Sequence, residues 1–133
     1  MAGFKSESFK HVVYFSAGAT GSGGSASDPA PISAKDCLAI PAGTVIDGVD
    51  VIVTTAVTGS SPQLNVGDDD DADGYVADAN VTEGTPAHYV GAGAYVTGGI
   101  KKYYSATGKE VKFALGGTAS AGAFMVVISG YRL

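Results

Sequence analysis

The sequence predicts an all-β protein, and three observations support that fold class. Between residues 45 and 57 the apolar residues recur with a period of two, which is the period of a strand and not of a helix. This segment is rich in valine, isoleucine and threonine, whose branched side chains fit a pleated surface better than a helical turn. The 20 glycines of the chain suit many short strands joined by turns rather than a helical bundle.

Length and composition indicate one domain that spans residues 1–133. A chain of 133 residues is close to the commonest single-domain size and is long enough for one two-layer core. Because 45% of its residues are hydrophobic and only 16% are charged, the chain is too apolar to be disordered.

The first part of the chain is predicted to contain an arm, a strand and a loop. Residues 1–8 mix charged and polar side chains around Phe4, and we expect them to form a flexible N-terminal arm. Phe9–Phe15 is predicted to be the opening strand, because it is apolar on both faces toward its end. Residues 16–31 are rich in glycine, serine and proline, which predicts an exposed loop.

The middle of the chain is predicted to contain three strands. A short strand at Leu38–Ile40 precedes the long alternating strand, whose valines of one parity are Val49, Val51, Val53 and Val57. A polar turn then separates it from a strand in which Leu64 and Val66 face inward while Gln63 and Asn65 face outward. Residues 73–80 are predicted to hold at most one short helix, and no other helix is expected.

The last part of the chain is predicted to be strands and turns. Residues 82–99 return repeatedly to glycine and alanine, which favours twisted or bulged strands. A hairpin around Thr107-Gly108 is predicted to pair residues 103–106 with residues 109–115, with Val111, Phe113 and Leu115 facing inward. Residues 123–128 are apolar on both faces, so we expect this strand to be central in a sheet or to have one face against a neighbouring subunit.

Charge and the lack of targeting segments exclude several classes of function. The net charge of -5, with eight scattered lysines and arginines, argues against binding to nucleic acid. Neither a secretory signal nor a run of about eighteen apolar residues is visible. We therefore expect a protein that is made in a cytoplasm, remains soluble and has no membrane partner.

The most specific candidate site is an acidic turn. Asp69, Asp71 and Asp73, followed by Gly74, have the spacing of the first half of a calcium-binding loop. The second half does not match, because the twelfth position is the neutral Asn80 and Glu83 comes three positions too late. The alternative is an exposed acidic turn without a metal, splayed by charge repulsion or held by a basic neighbour. We predict the acidic turn without a metal and assign no metal ligand.

Other candidate sites are better explained by structure than by chemistry. The glycine-rich stretch at residues 18–25 lacks the lysine of a phosphate-binding loop and is interpreted as a linker. His11 and His88 lie far apart without ligands at metal spacing, and Cys37 lies in an apolar run as a buried thiol. No catalytic, cofactor-binding or metal residue is predicted, so the protein is not expected to be an enzyme and needs no cofactor.

The tyrosine pair Tyr103-Tyr104 follows the lysine pair Lys101-Lys102. Such a cluster can stack on a sugar or contact a partner protein, whereas the simpler interpretation is packing at the edge of a sheet. The sequence favours packing at the edge of a sheet, and it does not identify the residues that contact a partner.

Four short segments of the chain resemble small virion structural proteins of tailed bacteriophages, especially head decoration or cement proteins. These segments are Pro41-Ala42-Gly43, Thr54-Thr55-Ala56, Val66-Gly67-Asp68 and Asp71-Ala72-Asp73-Gly74-Tyr75. The resemblance implies a β-sandwich or jelly-roll-like fold that forms an oligomer, expected to be a homotrimer. It also implies binding to the major capsid protein on the outer surface of an icosahedral head. The acidic charge suits the exterior of the shell better than the side that faces DNA.

Two further expectations accompany this resemblance. The N-terminal arm is a candidate for reaching a neighbour, with Phe4 and Phe9 filling apolar slots on the capsid or the next subunit. The alternative function is a head-fibre, neck or tail-associated β-module that binds carbohydrate, with Tyr89, Tyr95, Tyr103 and Tyr104 as the sugar platform. The host and the copy number on the virion do not follow from the sequence.

Overall fold

The structure is a computed structural model that describes residues 7–16 and 38–133. Within these residues strands predominate and no helix reaches seven residues, which confirms the predicted all-β class. The six strands of the described part are β1 (Glu7–Ser16), β2 (Leu38–Ile40), β3 (Thr44–Gly67), β4 (Ala87–Val90), β5 (Lys102–Tyr104) and β6 (Lys109–Arg132). The arm residues 1–6, the loop residues 17–31 and Cys37 lie outside the described residues.

The sheet is built around two long antiparallel strands. β3 and β6 contain 24 residues each and pair with one another along most of their length. β1 pairs with β6 in an unbroken register of ten residues, from Glu7 opposite Arg132 to Ser16 opposite Ala123. β4 and β5 both pair with β3 on its other side, and β2 pairs with the start of β6. The strand order is therefore β1-β6-β3-β4, and all pairings are antiparallel.

Bulges curl this sheet onto itself. The register between β3 and β6 shifts at five places, between Ile46 and Gly48 and repeatedly between Val53 and Gln63. Bulges bend a strand and increase its twist, so the two long strands wrap around one core. Its fully buried members are Ile46, Val49, Val51, Leu64, Val66, Tyr75, Val76, Val111, Phe124, Val126 and Ile128.

The alternating patterns predicted the buried positions well. Val49, Val51, Val53 and Val57 are buried, as are Leu64 and Val66, while Gln63 is exposed and Asn65 is half-buried. Val111 and Phe113 are buried as predicted; of Leu115 the structure describes only its backbone pairing with Leu64. β6 lies between β1 and β3, which confirms that the apolar run at residues 123–128 belongs to a central strand.

The predicted polar turn after residue 57 is wrong, because β3 continues through it. The stretch is a bulged part of the strand in which Ser61 takes a positive φ of 49°. Glu83 holds both ends of it: its backbone oxygen accepts a 2.9 Å hydrogen bond from the amide of Val57, and its Oε1 accepts a 2.8 Å bond from the amide of Leu64. A contact from a distant segment thus replaces the local turn.

The predicted hairpin around Thr107-Gly108 is also wrong. β5 pairs with the start of β3, where Tyr104 lies opposite Thr44, and the residues after the turn pair with β2, where Lys109 lies opposite Ile40. The chain turns at Gly108, which has a φ of +86°, but the turn carries it from one part of the sheet to another.

The remaining differences concern short segments. The predicted helical turn near residues 73–80 is a 3-10 turn at Asp78–Asn80, and a second 3-10 turn at Thr97–Gly99 was not predicted. In residues 82–99 the structure has one strand, β4, and otherwise turns. β1 begins at Glu7, so the last two residues of the predicted arm belong to the sheet, and Phe9 packs against the core instead of extending to a partner.

Candidate functional site

A buried carboxylate is the centre of the most highly connected polar cluster in the described residues. Asp68 follows the last residue of β3 and is only 3% exposed. Its Oδ1 accepts hydrogen bonds from the amides of Asp70 at 2.9 Å and Asp71 at 3.0 Å, and from the Tyr95 hydroxyl at 2.8 Å. Its Oδ2 accepts a 2.8 Å bond from the Tyr104 hydroxyl. Four donors from three segments therefore converge on one side chain.

Tyrosines extend the cluster into the core. The hydroxyls of Tyr75 and Tyr104 are 2.7 Å apart, and the rings of Tyr75 and Tyr95 meet edge to face with centroids 5.2 Å apart. Tyr75 is held in place because the bridge between Val66 and Val76 pairs the turn with the end of β3. The Nζ of Lys102 lies 4.3 Å from the centroid of the Tyr95 ring, a cation–π contact that covers the cluster from outside.

The hydrogen bonds determine the ionisation of the cluster. Burial acts to raise the pKa of Asp68, but the bonds from Tyr104, Tyr95 and the two amides outweigh it and lower that pKa. Burial raises the pKa of Tyr104, Tyr75 and Tyr95 well above its usual range. The cluster therefore contains an ionised aspartate and three protonated tyrosines at neutral pH. The role of the cluster is structural: its hydrogen bonds join β5, the acidic turn and residues 93–97.

The acidic turn is held by lysines of β6. Lys112 pairs with Asp69, and Lys109 pairs with Asp70 at 3.2 Å. Of the two arrangements expected for an exposed acidic turn, splayed by repulsion or held by a basic neighbour, the structure shows the second. Asp71 has a raised pKa, which arises first from its side-chain hydrogen bond with Asp73.

The positions that would complete a calcium loop are used elsewhere. The Oδ1 of Asn80 accepts hydrogen bonds from the amides of Ala77 at 2.9 Å and Ala92 at 3.3 Å. Glu83 is buried against the amide of Leu64, and this burial raises its pKa. In residues 7–16 and 38–133 there is no group of three or more His, Cys, Asp or Glu side chains that could hold a metal ion.

The tyrosines proposed as a sugar platform do not share one exposed surface. Tyr104 is buried, and Tyr95 points its hydroxyl at Asp68. The hydroxyl of Tyr89 donates to the carbonyls of Thr82 and Thr85 at 2.9 and 2.7 Å. Of the four, Tyr103 alone is exposed, at 52%. This arrangement agrees with packing at the edge of a sheet.

The histidines are surface residues on separate strands. The Nε2 of His88 in β4 lies 3.1 Å from Oδ2 of Asp50 in β3, and both side chains are exposed. His11 lies in β1 beside a cavity of about 160 Å³ that Phe9, Ile40, Ile46 and Arg132 also line. Cavities that bind small molecules typically measure about 300–1,000 Å³, so this one is small for a cofactor or substrate. No helix of the described segments is long and apolar enough to cross a membrane.

Sequence reasoning missed Asp68, Tyr75, Tyr104 and Glu83 as structural polar residues. Asp68 is the first of a run of aspartates, and nothing local distinguishes it from its exposed neighbours. The apolar residues Leu64 and Val66 just before it gave the one available signal, because they place the start of the acidic run at the end of a buried strand.

One comparison with known proteins gives a match. No protein-family model matches the sequence, and no curated protein does so either. Among solved structures, a chain of the capsid asymmetric unit of cyanophage Pam1 superposes with a TM-score of 0.59 at 20% sequence identity. The match covers 100% of this chain and 91% of that chain. The two chains thus share a fold.

Proposed function

We propose that this protein is a non-enzymatic structural protein of a tailed-phage virion that decorates the outer surface of an icosahedral head. The observation that supports it most strongly is the full-length fold likeness to a chain of a phage capsid asymmetric unit. The phage-like segments between Pro41 and Tyr75 support the proposal independently, because they are a property of the sequence and not of the fold. The partner in this proposal is the major capsid protein.

The proposed mechanism is stabilisation of a finished lattice. A protein that binds only the assembled shell stabilises it by mass action, by about 2.7 kcal/mol per site at a free concentration one hundred times the dissociation constant. A homotrimer on a local three-fold axis engages three capsid subunits together, so its effective concentration multiplies the affinity of each contact. The bulged sheet, which the hydrogen bonds of the Asp68 cluster hold closed, fits this role because it presents a rigid surface.

Charge and the N-terminal residues support the outward position. The exposed acidic turn would be repelled by packaged DNA, whereas the outside of a shell tolerates it. Residues 1–6, which include Phe4, precede the first strand and are the candidate arm for contact with the shell. Phe9 is not part of this proposal, because it belongs to the core of the domain.

The experiment compares phage heads made with and without this protein. Heads without it should assemble with normal geometry but release DNA at a lower temperature, and adding the purified protein back should restore heat resistance. A variant that lacks residues 1–6 should restore less, while keeping the circular dichroism and melting temperature of the full chain.

Two outcomes would contradict the proposal. Heads that fail to assemble would indicate a scaffold-like role. Heads that resist heat equally well, with a loss only of adsorption to cells, would indicate the fibre, neck or tail module. A cryo-electron map gives a second criterion, because hundreds of copies on the head indicate decoration and about a dozen indicate a neck or tail position.

A further inference from the structure

The solvent side of the sheet carries a continuous apolar surface. β1, β6 and β3 run side by side through ten residues of β1, and β4 and β5 line the far side of β3. Side chains alternate between the two faces of a sheet. One face packs on the core through Val51, Val126 and Ile128. The other, which we name the outer sheet face, carries Val12, Tyr14, Ile52, Val90, Met125 and Val127.

The pairing register brings these side chains into adjacent rows across four strands. One row runs Tyr14, Met125, Ile52 and His88, and the next runs Val12, Val127, Asp50 and Val90. Farther along the same face Tyr131 lies between Ser8 and Val45, with Tyr103 beyond. The surface is thus a band and not a set of scattered residues.

The exposed apolar residues of the described chain concentrate on this face. Six large hydrophobic side chains are exposed in residues 7–16 and 38–133, and four of them lie here: Val12 at 51%, Tyr14 at 61%, Val90 at 69% and Tyr103 at 52%. Contiguous apolar patches of this kind on a protein surface mark interaction sites. Tyrosine is among the residue types that most often dominate the binding energy of an interface.

The distribution of charge identifies the kind of partner. Five of the thirteen acidic residues lie in the turn Asp68–Asp73, and the other eight equal the eight lysines and arginines in number. The acidic excess of the chain thus equals the number of aspartates in that turn. On the outer sheet face Asp50 is paired with His88 within the chain. A basic partner would choose the acidic turn, whereas the outer sheet face carries Lys10 and Asp50, which have opposite charges and suit a contact with a second copy.

The dimensions also suit a contact between two copies. Ten rows of about 3.3 Å and four strands of about 4.8 Å give a face of roughly 600 Å². Specific interfaces bury about 600–1,000 Å² per partner, so this face is at the lower end of that range, and they have an apolar centre and a polar rim. Lys10 and His88 lie at the border of the apolar band, and Asp50, which pairs with His88, is the one charged side chain between Val127 and Val90.

We propose that the outer sheet face is the surface through which copies of this chain associate. The inference takes from the proposed function only that the protein forms an oligomer, and it names the surface that makes it. The C-terminal strand β6 then has one face in the core and the other, through Met125 and Val127, against a second subunit.

The decisive measurement is self-association by sedimentation equilibrium from micromolar to hundreds of micromolar protein. The double variant Val12→Glu with Tyr14→Glu buries two charges in the contact and should weaken association by at least roughly tenfold. The matched control is Ile100→Glu with Thr107→Glu, which adds the same charge at two exposed loop residues and should leave association unchanged. Circular dichroism checks that both variants are folded.

A second readout uses the wild-type chain and keeps the proposal falsifiable if a variant does not fold. The protein has two methionines, so methyl-labelled protein gives one signal from Met1 and one from Met125. On dilution through the association range the Met125 signal should shift in proportion to the fraction of associated protein that sedimentation gives. A Met125 signal that does not respond to association would overturn the proposal.

The remaining outcomes separate this inference from the proposed function. A wild-type chain that is monomeric at all concentrations, or a control pair that weakens association as much as the face pair, overturns the inference. If a monomeric wild type binds heads and the face variant does not, the occupant is the shell and again the inference fails. If the wild type associates through this face but does not bind heads, the inference stands and the decoration proposal fails.

Discussion

The hydroxyl of Tyr104 donates a 2.8 Å hydrogen bond to Oδ2 of Asp68, and both residues are buried. Tyr104 ends β5, which pairs with the start of β3, whereas Asp68 follows the end of β3. This bond therefore joins the two ends of a single 24-residue strand. It shows that β3 curls far enough for its ends to meet through a third segment, and it makes the Asp68 cluster the closure of the fold.

We predict that Tyr104→Phe destabilises the protein substantially. The substitution removes a donor from a buried carboxylate and a partner from the Tyr75 hydroxyl. A hydrogen bond to a charged group contributes about 1.5–3 kcal/mol, so urea unfolding should show a loss of about 2 kcal/mol. Tyr103→Phe, measured at the same protein concentration, is the control and should change stability by less than about 0.5 kcal/mol because Tyr103 is exposed. Equal losses would show that the Tyr104 hydroxyl has no special role.

We predict that Asp68→Asn destabilises the protein at neutral pH and much less in acid. The pKa of Asp68 is lower in the folded protein than its usual 3.8. Its ionised form thus stabilises the fold above pH 3.8, and this contribution is lost as the pH falls through the lowered pKa. Melting curves of wild type and variant should therefore differ most at pH 7 and converge as the pH falls well below 3.8. A difference that is constant with pH would contradict the assignment.

We predict the opposite pH dependence for Glu83. Burial raises its pKa above the usual 4.5, so its favourable contribution is complete below pH 4.5 and is lost as the pH rises through the raised pKa. Glu83→Gln keeps an oxygen that accepts the hydrogen bond of the Leu64 amide, but it loses the charge. The melting temperature of the variant relative to that of wild type should therefore rise from pH 4 to pH 7. Glu83→Ala leaves that buried amide without its acceptor and should cost about 1–3 kcal/mol at both pH values. A Glu83→Gln variant that loses stability at pH 7 would show that the charge is favourable.

Local alternation predicted part of the fold, and nonlocal contacts determined the rest. The parity of Val49, Val51 and Val53 gave their burial directly, because it depends only on the strand period. The continuation of β3 through its polar stretch depends on Glu83, which accepts a hydrogen bond from the amide of Leu64 and lies 19 residues beyond it in the chain. The hairpin at Gly108 failed for the same reason, since β5 finds its partner at Thr44.

The Asp68 cluster was equally hidden from sequence reasoning. Burial of Asp68 requires Tyr95 and Tyr104, which are 27 and 36 residues away. A run of aspartates predicts an exposed turn when the sequence shows no such partners nearby. The basic neighbours of that turn were predicted as a class, but their identity as Lys109 and Lys112 follows from the pairing of β6 with β3.

We predict that calcium has little effect on stability. Asp69 and Asp70 are paired with lysines, and Glu83 is committed to the Leu64 amide, so the carboxylates that remain are too few for a tight site. Millimolar calcium should shift the melting temperature no more than the same concentration of magnesium. A large shift specific to calcium, abolished in Asp71→Asn, would show that the acidic turn binds the ion.

We predict that Gly122→Ala is among the most damaging single substitutions in the sheet. Gly122 of β6 has a φ of +119° and lies opposite a bulge of β3, where a Cβ would lie 2.5 Å from the Cα of Val57 and 2.7 Å from the carbonyl oxygen of Ala56. Because these are backbone atoms of β3, the two strands must move apart to make room for the Cβ. We therefore expect a loss of about 3 kcal/mol or more in urea unfolding. Gly108→Ala is the matched control: its φ is +86°, but the space around it is open, so it should cost only the backbone strain of about 1–2 kcal/mol. The excess loss at Gly122 measures how tightly β3 and β6 approach where the sheet curls, and equal losses at the two glycines would mean that the strands separate there without cost.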